Sequence, residues 1–564
     1  MPDSFDYIVV GAGSAGCVVA ARLSEDPEVS VLLLEAGPHD RTPAVRVPAA
    51  FFRLHSTVRR WEYATEPAPG ANGRTMSIPQ GHTLGGGSSV NGMMYVRGQR
   101  EDFDAWRAAG CTGWGFDEVL PFFRKSENNQ RLAGPYHGTE GPMHVGDPAG
   151  AHPLAYAFTR AAMEVGDYAG RPIRYNGDFN GEVQEGVGLY QTTIRDGERS
   201  STASAFLLPA KRRPNLTVRT DAHVHRVLIE DAVNDNRAAK RAVGVAYSLT
   251  EHGPETSVTA RREVVVSANA IATPKVLMLS GIGPGPHLHS HAVTVHVDLP
   301  AVGANYHDHL LISAMGRLRE PISLFGHDRG LRAVRHLLQW ALLRTGVLST
   351  NVLEAGGFFD LDGDGRPEVQ MHLVPRLPYA PGQPGGEHGL TVSAYALACK
   401  SRGDIRLRDN RPRSSAVLRT GYLDHPDDVR LLGSGLRLAR RILRSPSLAR
   451  LLSAEIGATA QPDDSDEAAL EQLVRQEART VYHPAGTCRM GGDALSVVDA
   501  RLRVRGVMGL RVANASVMPT IVRGNTNATA IMVGERAADF IHGDWAMGRR
   551  IPNNSSVRSL ELFT

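Results

Sequence analysis

Apolar and polar positions change their period several times along the chain, and the changes mark its elements. Asp6 to Val10 is a short apolar run, Gly11 to Gly16 is rich in glycine, Cys17 to Ser24 has helical spacing, and Ser30 to Glu35 is a second apolar run. That order predicts strand, turn, helix and strand, a βαβ unit. Residues 215–230, 241–248 and 263–267 alternate or run apolar in β-branched stretches broken by polar turns, which predicts sheet strands. Farther along, Leu431 to Leu443 reads as a helix and Leu390 to Ala398 as a strand. From about residue 547 the sequence is polar and unpatterned, which predicts a loose tail. No internal repeat is visible.

With 564 residues the chain exceeds one small core, so two or more domains are expected. Its 42% hydrophobic and 21% charged residues are those of an ordinary globular protein. A formal charge of +3 spread over this length offers no electrostatic footprint for nucleic acid. Cys17, Cys111, Cys399 and Cys488 lie far apart, without zinc or CxxC spacing, so no metal is expected and a reducing compartment fits. The N-terminus lacks a basic region before its apolar run, and no uninterrupted apolar stretch reaches the roughly 18 residues of a membrane helix. A cytoplasmic location without a membrane span is expected. Oligomeric state is left open.

The glycine turn carries the first chemical signal. Gly11, Gly13 and Gly16, with Ser14 and Ala15 between them, form a dinucleotide fingerprint: the glycines permit a tight turn, approach to a pyrophosphate and close packing of helix on strand. Glu35 ends the next strand 19 residues after Gly16, where an acid can hold a ribose hydroxyl, and Ala36 follows it. FAD and NAD share this pattern.

Further stretches decide between them. Gly81 to Gly98, containing Gly85-Gly86-Gly87-Ser88-Ser89-Val90-Asn91-Gly92, Thr273 to Pro284, and the segments around His483 and Asn525 resemble the glucose–methanol–choline (GMC) family of flavoenzymes. Trp61 to Pro67, Leu299 to Asn305 with Asp308-His309, and Lys400 to Gly403 also match, so the similarity runs to about residue 545. The resemblance implies an α/β fold, α+β overall: a Rossmann-type FAD domain from residues 1–155, 201–305 and 476–546, and a substrate domain with an antiparallel sheet and helices from 156–200 and 306–475. Residues 547–564 are left as the tail.

It also implies site roles. Gly86, Asn91 and Gly92 lie along the flavin, Val224 meets the adenine, and Trp61, Asn514, Ala515 and Asn527 join the cofactor site. His483 and Asn525 face the reactive flavin edge. A neutral imidazole can accept an alcohol proton while hydride leaves for flavin N5, whereas an asparagine can only hydrogen-bond. The implied reaction takes an alcohol to an aldehyde or ketone, with oxygen or another acceptor reoxidising the flavin. The same scaffold also serves a lyase and a photodecarboxylase, and a noncatalytic flavin protein is a further alternative. Val90 stands where some members carry a flavin-linking histidine, so FAD is expected to be noncovalent. Asn514, His82 and Asn269 replace a usual Asp, Lys or Arg, and Gly. Tyr482, Glu354 and Met94 are candidates for the substrate wall.

Three other readings fail on the sequence. Asp360-Leu-Asp362-Gly-Asp364 resembles a calcium loop, but its twelfth position is Met371, and Gly363 to Gly365 reads as a hairpin turn. Ser14 follows Ala12 where a hydrolase elbow needs glycine. Cys488 is expected to pack rather than react, and Thr273 to Pro284 to form a packed turn.

Overall fold

The strand Ser4–Val10 is buried along nearly its whole length because it has parallel neighbours on both sides, Val31–Leu34 and Thr256–Val266. A strand so enclosed presents both faces to helices, which accounts for a continuous apolar run rather than alternation. The computed structural model describes residues 4–57, 59–166, 170–234, 237–250, 253–378 and 386–550. Its first sheet has eight strands. Leu216–Arg219 pairs outside Val31–Leu34, Leu510–Val512 lies parallel to Thr256–Val266, and Arg237–Ser248 and His223–Asn234 extend the sheet antiparallel. Within 215–230 the strands are Leu216–Arg219 and the start of His223–Asn234, with Thr220 to Ala222 between them.

The first helix spans Ser14–Leu23, three residues earlier than its apolar spacing indicates, because the glycine turn is complete at Gly13. Val18, Val19 and Leu23 are fully buried, each contributing roughly 1.5–3 kcal/mol. A charge at Val18 would break this packing. The helix lies against the long C-terminal helix Thr526–Arg550, where a Cβ on Gly534 would come 2.8 Å from the Ala15 carbonyl oxygen. Arg22 pairs with the buried Glu535 at 2.7 Å across the contact. The same helix continues to Arg550, past the expected start of the tail; residues 551–564 lie outside the described residues.

The second sheet is antiparallel. Its seven strands run in the order Leu452–Ile456, Leu310–Leu318, Gly389–Ala396, Val369–Val374, Ala355–Phe359, Gly186–Leu189, with Arg479–Thr480 on the edge of Leu310–Leu318. One face carries Leu310, Ile312, Ala314, Leu390, Val392 and Ala394, which pack into a core with the helix Pro426–Leu443. The period of two sends the intervening residues to the opposite face.

Thr273 to Pro284 is not a turn. The segment belongs largely to a helix, Asn269–Leu279, with Pro274 inside it. Proline lacks the N–H that would bond the Ala270 carbonyl, and the Thr487 hydroxyl donates to that carbonyl instead, at 2.5 Å. Asn269 occupies the left-handed region at φ 58°, which suits the usual glycine, and asparagine tolerates it. Its side-chain oxygen accepts from the N–H groups of Ile271 and Ala272 at 2.8 and 2.9 Å, a cap that glycine cannot supply.

Candidate active site

A cavity of about 1030 Å³ is lined by both sheets. The glycine turn contributes Gly11, Gly13, Ser14 and Ala15, faced by Gly86 and Gly87. Gly11 has φ 95°, and a Cβ there would meet the Ser267 carbonyl oxygen at 2.7 Å. A Cβ on Gly13 would approach no protein atom closer than 3.8 Å, and one on Gly87 none within 4 Å. The chain leaves room at both positions for a group to approach the backbone beside the start of the first helix, where N–H groups favour phosphate. Gly16 is not among the lining residues. A Cβ there would overlap the Gly11 carbonyl at 1.9 Å, so its part is helix packing rather than ligand contact.

Glu35, Ala36, Trp61 and Val224 line the same cavity. The Glu35 carboxylate accepts from the N–H groups of Ala12 and Gly37, both at 2.8 Å, and so braces the glycine turn. Burial pushes its pKa up to about 7 against those bonds. The Trp61 ring packs on His82 with centroids 4.0 Å apart, giving the substituted histidine an aromatic partner.

Asn91, Gly92, Asn514, Ala515 and Asn527 also line the cavity. Asn527 accepts from the Ser14 hydroxyl at 2.7 Å, tying the C-terminal helix to the glycine turn. Asn514 accepts from Ser516 N–H at 2.8 Å and donates to the Thr273 hydroxyl at 2.9 Å, a donor role that the usual carboxylate cannot fill. The buried Arg199 donates to the Val45, Ser88 and Asn91 carbonyls and to the Asn91 side chain, fixing the Ser88 to Asn91 loop. Burial pulls its pKa down to about 9.

His483 and Asn525 line the cavity together. The His483 backbone N–H donates to Asp308 at 2.7 Å. Asp308 also accepts from His309 N–H and from the hydroxyls of Thr480, Tyr422 and Tyr306, a full complement of donors for a buried carboxylate. His483 Nδ1 lies 3.0 Å from His309 Nδ1, so one of them must donate. His309 Nε2 is buried without a bond of ordinary geometry, and the backbone groups near the ring are the Leu397 and Val522 carbonyls, which only accept. Hydrogen on His309 Nε2 suits those neighbours and leaves Nδ1 to accept from His483. His483 Nε2 then carries a free lone pair. Burial lowers the His483 pKa to about 4 and holds the imidazole neutral above it.

Asn525 accepts from the Gln370 amide at 3.0 Å through its side-chain oxygen, leaving its own amide hydrogens free to donate. Gln370, His372 and Tyr395, not singled out in the sequence, stand on the cavity-facing side of the second sheet with Ser313 and Ser393. His372 and Tyr395 share a hydrogen bond, and burial lowers the His372 pKa to about 4. Polar residues at every second position of otherwise apolar strands were the available signal. Tyr482 and Met94 line the cavity. Glu354 does not: its buried carboxylate accepts from His152 N–H at 2.6 Å.

Cys488 is buried, and its thiol is pushed up to about 12, so it packs. Asp360, Asp362 and Glu368 do gather in the loop between Ala355–Phe359 and Val369–Val374, with carboxylate oxygens within 4.8 Å of one another. Asp360 there accepts from the N–H groups of Gly363 and Gly365 and meets Arg171 at 3.4 Å, contacts that fold the loop.

The GMC oxidoreductase family models match residues 5–311 and 399–534. The chain is 41% identical over 545 residues to an alcohol dehydrogenase [acceptor] of Pseudomonas putida, covering 95% of each chain. It is 37% identical over 551 residues to an oxygen-dependent choline dehydrogenase of Brucella ovis, covering 96% of each. A structure of Aspergillus oryzae RIB40 formate oxidase, solved for the effect of a mutation on FAD modification, superposes with a TM-score of 0.88 at 26% identity, over 97% of this chain and all of that one. No helix among the described residues is long and apolar enough to cross a membrane.

Proposed function

The chain belongs to the GMC oxidoreductase family, and from that premise we propose that it oxidises an alcohol to an aldehyde or ketone, with His483 as the proton acceptor. The observation carrying this reading is that one cavity holds both the glycine turn and the His483/Asn525 pair. FAD is the family's cofactor, and the open space at Gly13 and Gly87 fits it. Gly11, Gly13, Ser14 and Ala15 would hold its pyrophosphate, Glu35 its ribose, Trp61 and Val224 its adenine side, and Gly86, Asn91, Gly92, Asn514, Ala515 and Asn527 the remainder. Bound FAD supplies a two-electron acceptor for hydride at N5.

The chain's own residues handle the proton. Asn525 donates an amide hydrogen to the substrate oxygen and orients it, while His483 Nε2 accepts the hydroxyl proton as hydride leaves carbon. His309 accepts from Nδ1 and keeps that tautomer. Val90 offers no nucleophile to the flavin, so FAD should be released on acid precipitation; a yellow pellet would refute noncovalent binding.

Residues 1–155, 201–305 and 476–546 as the FAD domain, and 156–200 with 306–475 as the substrate domain, remain our division of the chain. The support for it is two hydrophobic clusters, one around each large sheet, though Ala68, Ala71, Met76, Ile78 and Ile271 of the first division pack with the second sheet. Four buried free thiols suit a cytoplasmic setting. The test is anaerobic titration of the holoenzyme with a panel of alcohols, followed by air or a dye acceptor. Bleaching by an alcohol and recovery with the acceptor are expected. A flavin that no alcohol reduces would overturn the reading.

A further inference from the structure

The helix Gly330–Leu343 places its apolar residues outward. Leu331 is 88% exposed and Leu342 78%, while Trp340 is 7% exposed. At roughly 100° per residue, Leu331, Val334, Leu338 and Leu342 form one stripe on the side opposite Trp340. A lone exposed leucine is ordinary, but a contiguous stripe on one helix marks a surface that meets another phase or molecule. The inward side is firmly held: Trp340 Nε1 donates to the Gly197 carbonyl at 2.7 Å, and Arg344 pairs with Glu198 at 3.3 Å. The helix is therefore docked on the protein through Trp340 and Arg344, with Leu331, Val334, Leu338 and Leu342 outward.

Charge identifies what covers that face. From residue 329 to 344 the chain carries Arg329, Arg332, Arg335 and Arg344 and no acid. Arg329 has Asp328 at 3.9 Å and Arg344 has Glu198; among the described residues no ion pair involves Arg332 or Arg335, which lie along one edge of the stripe. Pairing with a second copy would bring the same cations together without carboxylates between them. Anionic lipid headgroups match them, with leucine side chains entering the acyl boundary. We propose that Gly330–Leu343 is an interfacial anchor that seats the enzyme on an anionic lipid bilayer without spanning it.

The anchor adjoins the active site. The short helix that follows, Val347–Ser349, packs against Pro48–Ser56, whose Phe51 and Phe52 line the cavity. Membrane docking would thus place one cavity wall near the lipid.

Co-sedimentation of the holoenzyme with vesicles tests this, comparing phosphatidylcholine alone with phosphatidylcholine containing phosphatidylglycerol. Binding is expected only with the anionic lipid. Arg332→Glu with Arg335→Glu should weaken it about tenfold or more, and Leu338→Asp with Leu342→Asp should abolish it, both retaining dye reduction by alcohol in solution. Failure of the parent to pellet with anionic vesicles would overturn the proposal. So would a parent dimer on size exclusion that the leucine substitutions convert to monomer, since the face would then belong to a second copy.

Discussion

His309 and His483 meet Nδ1 to Nδ1 at 3.0 Å, with their ring planes 85° apart. A buried and a half-buried imidazole in this contact share one hydrogen, and its position decides whether His483 can act as a base. His309 is therefore a positioning residue with a testable effect. His309→Leu removes the acceptor and frees His483 to adopt the wrong tautomer, and should slow anaerobic flavin reduction by roughly 10–100-fold, less than the loss of the acid–base group that it positions. His309→Asn, whose oxygen can accept from Nδ1, should recover part of the rate. If the leucine and asparagine variants lose rate equally while retaining FAD, control of the tautomer is the wrong explanation.

His483→Ala should leave the flavin spectrum intact and slow reduction by about 10²–10⁴-fold. The pH dependence follows from burial. A histidine lowered from 6.5 to about 4 is neutral, and so competent, through the whole range above its pKa. Stopped-flow rates of the parent should be flat on the acid side until pH falls toward 4, rather than declining near 6.5 as a solvated imidazole would. A limb centred near 6.5 would show that His483 is not the titrating base in its buried state.

Gly13→Ala and Gly16→Ala separate ligand contact from packing. The alanine at 13 meets protein only at 3.8 Å, so the apo-protein should keep its melting temperature. FAD affinity should fall by about 1–3 kcal/mol, roughly 5–150-fold, as the methyl occupies the ligand's space. At 16 the methyl overlaps the Gly11 carbonyl, and the fold itself should suffer. Unchanged FAD affinity in Gly13→Ala would remove the glycine turn from the cofactor site.

Glu35 gives a proton-linkage prediction. Its folded-state pKa is raised from 4.5 to about 7, so the apo-protein holds a proton between those values that the unfolded chain releases. Apo stability should accordingly decline as pH rises through that window. A ribose hydroxyl donating to the carboxylate favours its charged form, so FAD binding should expel the proton and tighten as pH rises from 5 to 7. Calorimetry in buffers of different ionisation enthalpy should detect the released proton. Binding without proton release, together with full FAD retention by Glu35→Ala, would limit Glu35 to bracing Ala12 and Gly37.

The βαβ unit was legible because glycine spacing and unbroken apolar runs are local signals. Local cues misled where a distant residue resolved the conflict. Pro274 argues for a turn until Thr487, over two hundred residues away, supplies the hydrogen that the Ala270 carbonyl lacks. Glu354 shows a different limit: a buried acid in an apolar stretch can line a cavity or cap a backbone N–H, and only the fold brings His152 to it. Gln370, His372 and Tyr395 were missed for want of a motif, although their period-two placement among apolar residues was visible. Asn269 stood out by resemblance, but its left-handed backbone and capping role required the structure.

The strands Leu310–Leu318, Val369–Val374 and Gly389–Ala396 divide odd from even positions between the hydrophobic core and the cavity. Stability and ligand choice are thereby written on alternating letters of the same segments. Substitution at Ser313, His372, Ser393 or Tyr395 can alter the reception of a substrate while Ile312, Met371, Val392 and Ala394 keep the sheet seated on its helix. Such a surface is open to directed evolution: libraries confined to the cavity-facing positions, odd in Leu310–Leu318 and Gly389–Ala396 and even in Val369–Val374, would vary selectivity with little loss of folded protein.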